Sequence, residues 1–107
     1  MIVKNQDVKQ NELGKGVSRK ILAHVSSVMM VEVHFIKGAV GEIHSHVHEQ
    51  ISYIIKGSFQ VTIEGKKETV KTGDTFYIKP NALHGVVALE DSTILDVFTP
   101  RREDFLK

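Results

Sequence analysis

The chain contains no cysteine, no long apolar run and no excess of either charge among its 107 residues. Without cysteine it has no disulfides and no thiolate ligands, so any bound metal must use imidazole and oxygen donors. A formal net charge of +1 with no basic stripe argues against nucleic-acid binding. Neither a secretory signal nor the ~18 apolar residues of a membrane span is present, so we expect a cytoplasmic protein that does not enter membranes.

Short β-branched and apolar runs, separated by turns that contain glycine, make up most of the sequence. Almost no stretch repeats its apolar residues every 3.6 positions, so we predict an all-β protein, a sandwich or barrel, with a single domain over residues 1–107. The predicted strands are residues 19–23, 28–37, 42–46, 50–56, 58–64, 67–70, 75–78, 84–88 and 93–98.

The last predicted strand is apolar on both faces. Ile94, Asp96 and Phe98 alternate with Leu95 and Val97, and residues two apart on a strand share a face. One of these faces should therefore pack on a second sheet or on a second chain. Because two-fold assemblies are the commonest oligomers, we expect a homodimer.

Three histidines and a glutamine are spaced so that a twisted sheet would bring them together. His44 and His46 share one face of a strand, with Cα atoms roughly 6.5 Å apart, and Gln50 follows after a bend. His84 would come from another strand. Three nitrogens and one amide oxygen would leave one or two positions open on a metal ion. The alternative for His44 and His46 is an exposed strand face.

Two stretches resemble the two sequence motifs of the cupins. The first comprises Gly38, His44, His46, Gln50 and Gly57, and the second comprises Gly73, Asp74, Ile78, Pro80 and His84. The resemblance implies a cupin β-barrel, also called a jelly roll or double-stranded β-helix. It also implies one divalent transition metal ion per chain, bound by His44, His46, Gln50 and His84. The sequence departs from the motifs at Gln50, where many cupins have glutamate, and at Asn81, where glycine is common.

Gln50 affects the chemistry expected of the metal. A neutral amide leaves the ion with a net charge near +2, which makes it a stronger Lewis acid and harder to oxidise. This favours an anionic ligand, such as a carboxylate or enolate, over dioxygen chemistry. The donors suit nickel or zinc, and also iron, manganese, cobalt or copper.

Asp96 and two arginines are candidates for the chemistry beside the metal. If Asp96 faces inward, burial should raise its pKa while the metal lowers it, and it could act as a general acid or base. Alternatively, it caps its strand or pairs with an arginine. Arg101 and Arg102 follow Pro100, where a guanidinium could bind a substrate carboxylate in bidentate fashion. Alternatively, both are solvated surface residues.

Over nearly its full length the chain resembles the small cupins of pectin and alginate degradation, the KdgF type. The matching stretches are residues 16–22, 44–50, 80–81, 84–85, 95–98 and 102–105. The resemblance implies ring opening and tautomerisation of 4,5-unsaturated monouronates to linear 5-keto-4-deoxyuronate. It further implies that Asp96, Phe98 and Arg102 occupy the substrate and catalytic positions.

Two other functions fit the same residues. One is a cupin that binds a sugar acid without catalysis, and the other is a metal-dependent dioxygenase. We expect His48 to have an outer-shell or loop role. Tyr53 and Tyr77 are expected in the core.

Overall fold

Ten strands make up most of the chain in the computed structural model, which describes residues 1–107. They are β1 Asn11–Gly14, β2 Val17–Val25, β3 Val28–Phe35, β4 Val40–His44, β5 Glu49–Lys56, β6 Ser58–Ile63, β7 Lys66–Lys71, β8 Thr75–Ile78, β9 His84–Ala88 and β10 Ser92–Thr99. Short 3-10 helices cover Asn5–Asp7 and Glu103–Leu106. Neither has the length or apolar character needed to cross a bilayer.

The strands form two antiparallel sheets. The six-stranded sheet has the order β1-β2-β3-β10-β5-β8, and the four-stranded sheet has the order β4-β9-β6-β7. Each sheet turns one face toward the other, because one side of each strand is apolar. The all-β prediction is confirmed, and the arrangement is that of a jelly-roll barrel.

Nine of the ten strands overlap the predicted ones, and β1 is the exception. Its sequence, from Asn11 to Gly14, contains no β-branched residue, so no strand pattern marks it. It exists because it pairs with β2, a tertiary contact that the local sequence does not encode.

The interior changes from apolar to polar along β10. Ile94 packs in the main core, where Phe35 and Phe59 meet edge to face at 5.1 Å between ring centroids. Asp96 is the next inward position, and Phe98 belongs to a second apolar cluster. The barrel is therefore filled at one end and has polar side chains near the other.

The outer face of the six-stranded sheet carries several exposed apolar and aromatic side chains. Tyr53 and Tyr77, predicted in the core, are 45 % and 50 % exposed on this face, so that prediction was wrong. The inward positions of β5 are Gln50, Ser52 and Ile54, and alternation sends Tyr53 outward. Tyr77 lies opposite Ile51 in the pairing of β8 with β5, so it faces outward too.

Candidate metal centre and cavity

Three histidines converge where β4 meets β9. His44 is the last residue of β4 and lies directly opposite His84, the first residue of β9. His46 follows in the loop after β4. One ring nitrogen from each of the three lies within 4.8 Å of the others. The structure thus brings together the three histidines that the sequence singled out.

Close contact between the two strands depends on Gly85. A Cβ atom at Gly85 would lie 2.8 Å from the carbonyl oxygen of Gly41 in β4. Only glycine therefore lets β4 approach β9 closely enough to set His44 beside His84.

The turn after β8 positions the loop that carries His46. Asn81 adopts φ +67°, a left-handed conformation that asparagine tolerates better than most residues. Its backbone N–H donates to the carbonyl oxygen of His46 at 2.7 Å. Asparagine therefore serves where glycine is common in the second motif.

Each of the three imidazoles has its Nδ1 against a backbone carbonyl. The acceptors are the oxygens of Glu42 for His44 at 2.8 Å, of His48 for His46 at 3.0 Å and of Ala82 for His84 at 2.9 Å. A carbonyl can only accept, so each Nδ1 carries the proton and each Nε2 presents a lone pair. Metal-ligating histidines are commonly oriented in this way.

Burial keeps two of the rings neutral. Desolvation lowers the pKa of His46, and it lowers that of His84 to about 4. Both rings are therefore uncharged near pH 7, the form that a metal ion binds.

The side-chain oxygen of Gln50 lies beside the clustered histidine nitrogens. Its Oε1 lies 3.0 Å from Nε2 of His46, and with the proton on Nδ1 both atoms carry lone pairs. Two ligands about 2.1 Å from one ion at a right angle would lie about 3.0 Å apart. The four residues therefore fit a divalent metal ion.

The amide nitrogen of Gln50 faces the other way, toward Asp96. Its Nε2 donates to Oγ of Ser52 at 2.9 Å and to Oδ1 of Asp96 at 3.3 Å. Ser52, fully buried, donates to the same carboxylate oxygen at 2.6 Å. Sequence reasoning missed Ser52, although it shares an inward face with Gln50 two residues away.

Burial raises the pKa of Asp96 to about 6, against the hydrogen bonds from Ser52 and Gln50 and the charge of Arg102. Asp96 neither caps its strand nor forms an ion pair with an arginine. Its carboxyl group can therefore hold or release a proton near neutral pH.

Arg102 lies in the cavity wall and is already paired. Its Nε and Nη2 donate to the two carboxylate oxygens of Asp104 at 3.1 and 2.9 Å, and the residue is only 8 % exposed. Arg101 pairs with Glu103 and does not line the cavity, so Arg102 is the arginine that faces it.

The cavity has a volume of about 260 Å³, which suits a small molecule. Its polar lining includes His44, Gln50, His84, Asp96 and Arg102, and its apolar lining includes Phe98. Phe98 packs against Phe105 edge to face at 5.7 Å. The residues predicted to bind metal and those predicted to act on substrate thus meet in one space, with His46 just behind its lining.

His48 lies next to this space. Its ring centroid is 5.5 Å from that of His46, and its carbonyl accepts the His46 Nδ1 hydrogen bond. This position fits the predicted outer-shell role.

Comparisons with known proteins agree with this geometry. Residues 31–98 match the family model described as Cupin domain. The chain is 52 % identical to the pectin degradation protein KdgF of Dickeya dadantii over 97 residues, which cover 89 % of this chain and 88 % of the relative.

Two solved structures share the whole fold. KdgF from Halomonas sp. has a TM-score of 0.94 and 41 % identity, over 98 % of this chain and 97 % of the other. A RmlC-like cupin from Shewanella frigidimarina has a TM-score of 0.94 and 34 % identity, over 97 % and 94 %. The chain therefore belongs to the cupin family, in the group of cupins that includes the KdgF proteins.

Proposed function

We propose that the protein converts 4,5-unsaturated monouronates, released by pectin or alginate breakdown, to linear 5-keto-4-deoxyuronate. The similarity to a pectin degradation protein supports this substrate class. The observation that carries the proposal is the Asp96 carboxyl group, which lines the cavity and is linked through Gln50 to His46, one of the three clustered histidines.

The reaction is an isomerisation and needs no redox partner. The C1 hydroxyl of the cyclic substrate loses a proton, the bond from C1 to the ring oxygen breaks, and an aldehyde forms at C1. The ring oxygen leaves as the enolate oxygen on C5. Protonation of this enolate at C4 then gives the ketone at C5. One proton leaves the C1 oxygen and one arrives at C4, so a single acid–base group can accept the first proton and donate the second.

Asp96 is that group in our proposal. With a pKa raised to about 6 by burial, it can both accept and donate a proton near neutral pH. Ser52 and Gln50 hold its carboxylate in place. Phe98 forms the apolar wall against which the sugar ring lies, and Arg102 adds polar surface beside it.

His44, His46, His84 and Gln50 would hold the divalent ion, for which nickel and zinc are our first candidates. When bound, it would supply a Lewis acid that stabilises negative charge on substrate oxygens.

The direct test follows the ultraviolet absorbance of the conjugated double bond in freshly prepared unsaturated galacturonate and guluronate. Metal-loaded protein should remove the signal faster than the spontaneous reaction, whereas chelated protein should not. Asp96→Asn keeps the shape and the hydrogen bonds to Ser52, and should lose at least about 100-fold in rate while retaining metal. Asp7→Asn, an exposed acid in the N-terminal 3-10 helix, is the matched control.

Each alternative function gives a different result in the same experiment. A fully active Asp96→Asn variant would refute the proposed role of Asp96. Saturable uronate binding without product would indicate a non-catalytic binding protein. Oxygen uptake by iron-loaded or copper-loaded protein would indicate a dioxygenase.

We also propose that two copies associate through the outer face of the six-stranded sheet. Met30, Ile51, Tyr53, Ile55 and Tyr77 are 37 to 54 % exposed there. They leave on the order of 400 Å² of apolar surface, close to the apolar share of the ~800 Å² that each partner buries in a standard interface.

Analytical ultracentrifugation tests the association. Wild-type protein should sediment as a dimer, and Ile51→Lys should sediment as a monomer with the same circular dichroism. A monomeric wild type would refute this proposal and leave the reaction unaffected.

A further inference from the structure

One guanidinium group in the cavity has no partner. Arg19 lies on β2 directly opposite Val33 of β3, and its side chain lines the cavity together with His44 and His84. Its Nε is buried and makes no hydrogen bond, and no carboxylate lies within ion-pair distance of it. A buried charged donor without an acceptor is costly, so the position indicates a ligand that supplies one.

A second arginine lies close to it and increases the local positive charge. The Cζ atom of Arg19 lies 3.8 Å from the centroid of the Phe105 ring, and that of Arg102 lies 4.2 Å from the same centroid. Burial and the charge of Arg102 lower the pKa of Arg19, yet an arginine stays protonated in proteins. Two cations therefore share one aromatic ring.

Only one of these cations has a carboxylate bound directly to it. Both carboxylate oxygens of Asp104 are bound by Arg102, so the Arg102 pair is close to neutral. Arg19 feels the charge of Asp104 only from a distance, and its buried Nε has no acceptor. An anion entering the cavity would gain most by pairing with Arg19.

We propose that Arg19 binds the carboxylate of the substrate, as the residue that selects an acid over a neutral sugar. The identification of that acid as a uronate rests on the proposed function. The planar guanidinium would donate through Nε and one terminal nitrogen to the two carboxylate oxygens. Arg102, held by Asp104, then forms the wall beside Phe98 and leaves the carboxylate to Arg19.

A purely structural role for Arg19 is the competing explanation, because its stacking on Phe105 could simply hold the C-terminal 3-10 helix in place. Selectivity separates the two roles. Loss of a carboxylate partner weakens binding of acids alone, whereas loss of a structural contact weakens binding of every sugar and lowers the melting temperature.

The experiment measures binding of galacturonate and of galactose, its neutral counterpart, to metal-loaded protein by isothermal titration calorimetry. Wild-type protein should bind galacturonate more tightly than galactose. Arg19→Met should weaken galacturonate binding at least about tenfold and leave galactose binding and metal content unchanged. Arg19→Lys, which keeps the charge, should restore part of the affinity.

Lys20→Met is the matched control. Lys20 is the next residue on β2, but it pairs opposite Glu32 and its Nζ donates to Asn5 outside the cavity. It should bind both sugars as the wild type does. In turnover of the unsaturated uronate, Arg19→Met should raise KM with kcat nearly unchanged.

Three results would overturn the role of Arg19. These are unchanged galacturonate affinity in Arg19→Met, an equal loss for both sugars with a lower melting temperature, and a wild type that does not prefer galacturonate. If the wild type shows no turnover but Arg19→Met still loses galacturonate selectively, the proposed reaction fails and the role of Arg19 stands. If the wild type turns over the unsaturated uronate but Arg19→Met binds galacturonate as tightly as the wild type, the proposed reaction stands and the role of Arg19 fails.

Discussion

Removing the hydroxyl of Ser52 should destabilise the protein more than most single changes in a buried polar site. Ser52 is fully buried, donates to Asp96 at 2.6 Å and accepts from Gln50 at 2.9 Å. Ser52→Ala deletes a hydrogen bond to a charged group, which contributes about 1.5 to 3 kcal/mol. We expect a loss of about 2 kcal/mol in the free energy of unfolding.

The corresponding shift in melting temperature follows from the chain length. An unfolding entropy of about 2.1 cal/mol/K per residue gives about 0.22 kcal/mol/K for 107 residues. A loss of about 2 kcal/mol therefore lowers the melting temperature by about 9 °C. Both quantities should be measured by denaturation with chelator present, because a bound metal would add its own stabilisation.

A double-mutant cycle isolates the interaction with Asp96. At about pH 8, well above the Asp96 pKa of about 6, the carboxylate is charged. In an Asp96→Asn background the acceptor is neutral, so Ser52→Ala should cost only about 1 kcal/mol. Equal losses in both backgrounds, to within about 0.3 kcal/mol, would refute the argument that Ser52 stabilises a buried carboxylate.

Three further predictions concern the metal site and the C-terminal ion pair. His84→Ala should abolish stoichiometric metal binding in elemental analysis and remove the roughly 2.7 kcal/mol of stabilisation that a wild-type site gains at metal concentrations about 100 times Kd; a variant that keeps its metal would exclude His84 as a ligand. Gly85→Ala should cost about 1 to 3 kcal/mol and weaken metal binding, since its Cβ would collide with backbone, whereas Gly41→Ala meets a movable side chain and should be milder in thermal melts. Because the Arg102 hydrogen bonds lower the pKa of Asp104, the pair stabilises the fold above the ordinary aspartate pKa of 3.8 and loses that contribution as the pH falls below it. The free energy of unfolding of Asp104→Asn should therefore decrease less than that of the wild type as the pH is lowered through this range. Identical pH dependence of the two proteins would contradict the pairing.

Local sequence was enough to predict most of the strands and the position of the three histidines. Glycine-bounded apolar runs mark β2 to β10, and the spacing of His44 and His46 sets them together. The outer-face tyrosines were mispredicted for a physical reason. Size and apolarity suggested burial for Tyr53, but its alternation with Gln50 and Ser52 was the stronger indicator, because it fixes which side faces the cavity.

The contacts that arise from the C-terminal 3-10 helix could not be predicted from sequence. Arg102 was predicted to face the substrate, and it does line the cavity, but the sequence did not indicate that Asp104, two residues later, would accept two hydrogen bonds from its guanidinium. That pairing requires the helical turn at Glu103–Leu106, which no periodic pattern signals. The resulting isolation of Arg19 depends on the same turn, because Phe105 brings the two guanidiniums to one ring.

The hydrogen bonds that orient the three imidazoles have a consequence for how this site can vary. Each acceptor is a main-chain oxygen two residues away from its histidine. The side chains of Glu42, His48 and Ala82 therefore accept none of these hydrogen bonds, and the direction of each lone pair is set by the main chain. Specificity for the small molecule can thus change through the cavity wall while the ion-binding geometry stays the same.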